Sequence, residues 1–275
     1  MAKIVGAYGV PHTPAFPALV DREGPGCEVA RLYTRVRQEL AAAGADVVVL
    51  FDSDHLNTFF DHVPTFAVGV ADSFDGPNDA TDGLAPRTVP SDRALAATLH
   101  EGLTGLGFDP TQLRRFAADH SVLVPVHFLL PDLGIPVVPV YVNGIVSPLP
   151  AAERCAALGR AVTAVLADWP DHLRVALVAS GSFSLEVGGP RIASARIWGV
   201  PAPQWSARVV ECVRGGEIDA LVREATPRQL HRAGNVGGEL LNWISLLGAL
   251  GGSRPVFCEP QERFGHSYAA WRVPA

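Results

Sequence analysis

Five places in the sequence set chemically capable side chains directly beside apolar runs. His12 lies in Val10-Pro11-His12-Thr13-Pro14, past the first such run, and His55 ends the abrupt switch from VVVLF to Asp52-Ser53-Asp54-His55. Asp119-His120 precedes VLVPV, Ser180-Gly181-Ser182 follows RVALV and Ala179, and Glu239 opens an apolar stripe of Leu240, Leu241, Trp243 and Ile244. Two histidines and one carboxylate are the donor set of a non-haem Fe(II) centre with positions open for oxygen, and zinc accepts the same ligands. Each residue also has a plainer use. A single histidine after a strand commonly serves as a hydrogen-bonded structural group. Glu239 would favour a helix N-terminus through the dipole, and Asp54 and Asp119 are good turn or capping residues. The set carries more weight than its members, because two histidines and a carboxylate each sit beyond a different core element.

Those core elements must be strands and helices in alternation. Short β-branched runs at Lys3–Tyr8, Asp46–Asp52, Thr65–Val70, Pro136–Val142, Arg174–Ser180 and Arg254–Cys258 read as strands. Several are apolar at nearly every position, as strands covered on both faces are. Helical patterns run over Glu28–Ala43, Asp92–Leu106, Ala151–Trp169, Gln204–Gly215 and Glu239–Leu250. Ser91-Asp92 supplies an N-cap, and Gly44 and Gly107 stand where helices commonly close. The expectation is an α/β fold, a single domain over residues 1–275 with a mostly parallel central sheet flanked by helices. Ligands of such sheets bind beyond the carboxyl ends of the strands, where the polar residues above fall. Asp72–Pro90, rich in Asp, Gly, Pro and Asn, reads as a long surface loop, and Gly181–Pro203 as a loop near the site.

Composition narrows the partners. The 275 residues carry 22 Lys+Arg against 28 Asp+Glu, a formal charge of −6, which disfavours nucleic acid or anionic lipid as the main partner. With 48% hydrophobic and 18% charged residues, the chain buries a core rather than staying disordered. Four well-separated cysteines, Cys27, Cys155, Cys212 and Cys258, form no CxxC pair and read as reduced thiols. The start MAKIVGAYGVPHTP makes a poor signal peptide, and no apolar stretch reaches membrane-spanning length. A soluble cytoplasmic protein with no membrane partner is expected.

The residues around these positions resemble the class III extradiol ring-cleavage dioxygenases, the superfamily of the protocatechuate 4,5-dioxygenase beta subunit and of 2,3-dihydroxyphenylpropionate 1,2-dioxygenase. The resemblance is carried by GVPHTPA at 9–15, VVLFDSDHLNTFF at 48–60, ADHSVLVPVHFLL at 118–130, VPVYVNGIVSPLP at 138–150, ASGSFSLEVGGPR at 179–191 and GGELLNWISLLGAL at 237–250. It implies that His12, His55 and Glu239 hold Fe(II), that a small catechol, aminophenol or related aromatic and O2 are the reactants, and that the ring opens beside its oxygen substituents. It further implies His120 as a proton carrier beside the substrate, Asp54 as a residue supporting His55, and a homo-oligomer, with a small partner subunit in some relatives.

One position departs from the pattern. Leu185 stands in GSFSLEVGG where the family carries an acid/base histidine, and leucine can neither move a proton nor bond oxygen. Among the spare histidines, His266 in the C-terminal RFGHSY segment is the expected replacement, while His62 and His127 read as structural or peripheral. Phe183, Leu185 and Tyr268 are expected to line an aromatic-binding pocket. Two other readings share the scaffold: a non-catalytic or regulatory subunit of a hetero-oligomer, and a metal-dependent hydrolase or lyase. Retention of His12, His55 and Glu239 favours the enzyme over a degenerate partner chain.

Overall fold

The computed structural model describes residues 1–170, 172–192 and 196–273; positions 171, 193–195 and 274–275 of the expected 1–275 domain lie outside the described residues. Strands in chain order are β1 Lys3–Val10, β2 Val47–Asp52, β3 Phe66–Gly69, β4 Ser73–Gly76, β5 Arg87–Pro90, β6 Thr111–Leu113, β7 Val137–Val142, β8 Arg174–Ser180, β9 Glu186–Val187, β10 Trp198–Gly199, β11 Phe257–Gln261 and β12 His266–Arg272. The α-helices are α1 Phe16–Glu23, α2 Glu28–Ala43, α3 Arg93–Gly105, α4 His120–Leu129, α5 Ala152–Ala167, α6 Pro203–Gly215, α7 Ile218–Glu224, α8 Pro227–Arg232 and α9 Leu240–Leu250.

Eight strands form one sheet in the order β11-β12-β1-β8-β2-β7-β3-β6. Its centre, β1, β8, β2 and β7, is parallel, so four strands end at one edge. β3 pairs antiparallel with β7 and parallel with β6, while β12 runs antiparallel to both β1 and β11. The mostly parallel α/β expectation therefore holds. β2 and β7 are buried at every position because helices cover both faces of the sheet. One core gathers residues of α3, α5, α6, α7 and α9, the other those of α1, α2 and α4. Among the described residues, no helix is long and apolar enough to cross a membrane.

The central strands and the five helices read from the sequence are all present, with boundaries moved by a few residues. Asp92 caps α3 by accepting the Leu95 N–H at 3.0 Å, and Gly44 and Gly107 take left-handed φ values of 59° and 81° after α2 and α3. Three segments differ. Asp72–Pro90 is not a plain loop: its ends pair as the β4–β5 hairpin, Ser73 opposite Pro90. Residues 120–129 form α4, since the Asp119 carboxylate caps it and the β-branched run is buried on both sides. The last expected strand, Arg254–Cys258, is shifted to Phe257–Gln261, where its carbonyls and amides meet an unforeseen partner in β12.

Close helix packing fixes where α9 lies. A Cβ on Gly159 of α5 would strike the Ser245 carbonyl, and one on Gly248 of α9 would strike that of Ala156. The two helices approach to backbone contact, and α9 thereby presents its first turn to the strand ends.

Candidate metal centre

At the carboxyl edge of β1, β2 and β8, three imidazoles and a carboxylate converge. His12 follows β1 by two residues, His55 follows β2 by three, His120 opens α4, and Glu239 ends a 3-10 turn, Gly237–Glu239, that runs into α9. His12, His55 and His120 each offer a ligand atom within 4.8 Å of the others. The Glu239 Oε1 lies 3.2 Å from His12 Nε2 and 3.1 Å from His55 Nε2. The His55 and His120 rings stack with centroids 4.4 Å apart, and His12 stands edge-on to both.

Each imidazole is held from behind through Nδ1. His12 Nδ1 contacts Ser180 Oγ at 2.8 Å and Asp52 Oδ1 at 3.4 Å. His55 Nδ1 donates to Asp119 Oδ2 at 3.1 Å, the same oxygen that accepts the His55 backbone N–H. His120 Nδ1 donates to Asp79, which the β4–β5 hairpin brings in. Carboxylates only accept, so they place the proton on Nδ1 and turn Nε2 toward the ion position, the usual support of a metal-binding histidine. Ser180 Oγ also reaches the Ser121 carbonyl at 3.4 Å. That carbonyl lacks its helical partner because Pro125, four residues on in α4, has no N–H.

Glu239 is fixed as firmly. Its Oε2 accepts the Ser182 N–H at 2.7 Å, leaving Oε1 to the histidines. Gly181, at φ 147°, lets β8 turn directly against the Glu239 side chain, where any Cβ would collide. One turn on, the Asn242 side-chain amide donates to Ser180 O at 2.7 Å and to Ser53 Oγ at 3.0 Å, and Trp243 Nε1 donates to Gly181 O. The first turn of α9 is thus bonded to the ends of β2 and β8.

Charge at this edge is strongly coupled. Burial alone would push the imidazoles down, yet Glu239 and Asp52 outweigh it and hold His12 up at about 9. Asp119 and Glu239 likewise hold His55 well above its usual value against burial. Against their own burial, Asp119 and Glu239 are kept below the ordinary carboxylate range, chiefly by His55 for Asp119 and by His12 for Glu239. Burial pushes Asp52 up, against the pull of His12. Buried His12 Nε2 has no aligned hydrogen-bond partner among the described residues, although Glu239 Oε1 is 3.2 Å away. A buried imidazole nitrogen without an aligned partner beside a buried anion, with Nδ1 already occupied, is a donor set that fits a divalent ion, which would take the place of the Nε2 proton.

The other expected site residues fall differently. Asp54 does not support His55. Its carboxylate accepts the N–H groups of Asn57, Thr58 and Phe59, tying the turn after β2, and Asp119 takes the expected place. Phe183 is fully buried edge-on to Trp243 in one core, and Tyr268 is fully buried beside Tyr33 in the other. Both rings thus serve as core, where their large apolar area is best used. Leu185 is half-buried just ahead of β9, its carbonyl accepting the Val236 N–H near the Glu239 turn. His266 stays outside the three-histidine group. It bonds Gln261 Oε1 at 2.9 Å, packs on Phe16 and Phe264, and is pushed by burial down to about 3. A base that weak suits a fixed acceptor better than the proton carrier expected there. His62 is exposed and His127 lies at the rim of α4, as expected. The supporting residues Asp52, Asp79, Ser180 and Asn242 were not singled out from the sequence for these roles. Only the position of Asp52 and Ser180, just ahead of the polar switches, signals them.

Residues 6–270 match the family described as the catalytic LigB subunit of aromatic ring-opening dioxygenase. The chain is 32% identical over 186 residues to a 2,3-dihydroxyphenylpropionate/2,3-dihydroxicinnamic acid 1,2-dioxygenase of Klebsiella pneumoniae, covering 67% of this chain and 57% of that protein. It is 28% identical to the enzyme of the same name from Burkholderia vietnamiensis, covering 89% of this chain and 87% of that one. In fold it is similar to the crystal structure of an uncharacterised protein of Escherichia coli K12, with a TM-score of 0.62, 20% identity and coverage of 97% and 98%.

Proposed function

The chain belongs to the LigB family of aromatic ring-opening dioxygenases, and from that premise we propose that it opens a catechol, aminophenol or related aromatic ring with O2 at Fe(II) held by His12, His55 and Glu239. The observation that carries the assignment is the shared oxygen: Glu239 Oε1 lies 3.1–3.2 Å from two Nε2 atoms whose Nδ1 positions are already occupied. The bound ion supplies the redox chemistry that lets O2 react with an oxygenated ring. The protein's part is positional. Ser182 N–H and the α9 anchors hold Glu239, and the acceptors behind His12 and His55 keep both rings turned one way. His120 carries a nitrogen within 4.8 Å of those two histidines, so a substrate hydroxyl drawn to the same place has a proton acceptor beside it. Asp79 steadies the charge that His120 gains. Leu185 stands where the family resemblance expects an acid/base histidine and cannot carry a proton, so in this reading proton traffic falls to one protein group, and a substrate needing a single protein acid/base group suits it. A cytoplasmic homo-oligomer in aromatic catabolism belongs to the same reading.

Anaerobic loading with Fe(II), followed by oxygen uptake on a panel of catechols and aminophenols, tests it. Uptake stoichiometric with ring opening is expected, with His120→Ala lowering turnover by on the order of 10²–10⁴-fold at unchanged iron content. Iron-loaded protein that consumes no oxygen with any of these compounds would send the assignment to the non-catalytic subunit or the hydrolase.

A further inference from the structure

The Glu186 carboxylate makes no hydrogen bond to the metal centre among the described residues, yet the residue is only 1% exposed in the short strand β9. A buried carboxylate is costly unless charged or hydrogen-bonding groups meet it, and its partners all lead to one place. Its Oε2 accepts the Asn235 backbone N–H at 2.8 Å, and the Arg191 guanidinium stands 3.4 Å from the same oxygen. Arg191 in turn donates to the His231 carbonyl in the last turn of α8. Glu186 is therefore tied to residues 231–235, the stretch that leads into the Gly237–Glu239 turn.

That stretch is stitched to the segment around Glu186 at every step. The Asn235 side-chain amide accepts the Val187 N–H at 2.9 Å and donates to the Val187 carbonyl at 2.7 Å, as a neighbouring strand would. The Val236 N–H donates to the Leu185 carbonyl at 3.3 Å, and Ser184 Oγ donates to the Ala233 carbonyl at 2.9 Å. At Gly234, with φ 129°, a Cβ would strike that same Leu185 carbonyl, so the two segments meet backbone to backbone. Residues 182–187 thus act on Glu239 twice. The Ser182 N–H holds its carboxylate, and residues 184–187 hold the turn that carries its backbone. Within that turn the Glu239 N–H bonds the Val236 carbonyl at 3.1 Å, so a shift at 235–236 passes directly to Glu239. Glu186 is the one side chain of residues 184–187 that reaches this stretch at two points, Asn235 directly and His231 through Arg191. Taking Glu239 as a metal ligand, the reading on which this rests, we propose that Glu186 is a positioning residue for it. By fixing the turn over 235–239, Glu186 keeps Glu239 Oε1 between the Nε2 atoms of His12 and His55.

Anaerobic equilibrium dialysis against Fe(II), and the visible spectrum of the Co(II)-loaded chain, read the placement of Glu239 without any turnover. Glu186→Ala should lower Fe(II) affinity by about tenfold, the low end for residues that support ligands, and should shift the Co(II) bands. A purely structural role would lower the melting temperature and leave those bands in place. Glu186→Gln keeps an oxygen for the Asn235 N–H, and should restore the wild-type spectrum and bring affinity within about threefold of wild type, the share of one weak hydrogen bond. Should Glu186→Ala not fold, Asn235→Ala, at an exposed position, decides in its place. Loss of the Val187 pair should then cost a few-fold in affinity and shift the same bands, with circular dichroism intact. Wild type that takes up neither metal overturns the ligand assignment and this inference together. Wild-type uptake with affinity and spectrum unchanged in the deciding variant overturns this inference alone, as does a Glu186→Gln loss equal to that of Glu186→Ala.

Discussion

His55 and His266 are both largely enclosed imidazoles, and their surroundings drive them in opposite directions. His55 has Asp119 behind it and Glu239 before it, and these charges overcome burial and hold it protonated in the metal-free protein. His266 has the neutral Gln261 amide behind it and the rings of Phe16 and Phe264 around it, so burial wins and it stays neutral. Burial disfavours the charged form at both corners, more completely at His266, and the charge of the bonded partner decides which way each one goes. A histidine backed by a carboxylate and facing another becomes a place for a cation. One backed by an amide becomes a fixed acceptor.

The sharpest way to break this contrast is to remove the facing carboxylate. Glu239→Ala should lower metal affinity by more than about 100-fold, beyond the range typical of outer partners, whereas His266→Gln should leave it within about twofold. Metal content after equilibrium dialysis reads both. Equal losses in the two variants would mean that His266 belongs to the centre after all. A smaller effect is expected behind the ring. Asp119→Asn keeps the α4 cap, since asparagine also accepts the Ser121 N–H, but it withdraws the charge from His55. Metal affinity should fall by about 10–100-fold with the helix intact by circular dichroism. If affinity is unchanged, the partner's charge is not what prepares His55.

The smallest effect lies in stability against pH, and its sign separates the corners. The His266 value falls from 6.5 unfolded to about 3 folded. Its contribution is complete above pH 6.5 and is lost as pH falls toward 3, because only the unfolded chain takes up the proton. His12 is raised to about 9, so its contribution in the metal-free protein is complete below pH 6.5 and is lost as pH rises through 9. Between pH 6.5 and 5 the wild type should therefore lose about 1.6 kcal/mol that His266→Gln does not lose, the slope rising from half of about 1.4 kcal/mol per pH unit at 6.5 to nearly all of it at 5. Urea melts at the two pH values measure it, and parallel slopes would refute the neutral assignment.

Much of this was legible beforehand, for a physical reason. A strand buried on both faces must be apolar throughout, so the first polar residues after β1, β2 and β8 stand out, and His12, His55 and Ser180 were visible at once. Glu239 was visible as the lone carboxylate heading an apolar helix. Their supports were not. Asp119 meets His55 across 64 positions and Asp79 meets His120 across 41, and no local pattern encodes such pairings. Asp54 misled because a carboxylate beside His55 in sequence looks like its partner, while backbone geometry gives it to the following turn. α4 was obscured by β-branched residues and a proline, which read against a helix. β12 escaped because its pairing needs both β1 and β11 in place, although His266–Arg272 is buried along nearly its whole length.

That proline has a consequence larger than its cost to α4. With an ordinary residue at 125, the Ser121 carbonyl would also accept a backbone N–H and the Ser180 hydroxyl would have to share that acceptor. As it stands, Ser180 can give its hydrogen away to Ser121, and so it receives one from His12 rather than competing to donate. Direction is thereby written into the relay. Together with Asp52, a hydroxyl free to accept keeps a His12 proton on Nδ1 and turns Nε2 toward Glu239, and part of that freedom traces to one N–H that residue 125 does not have.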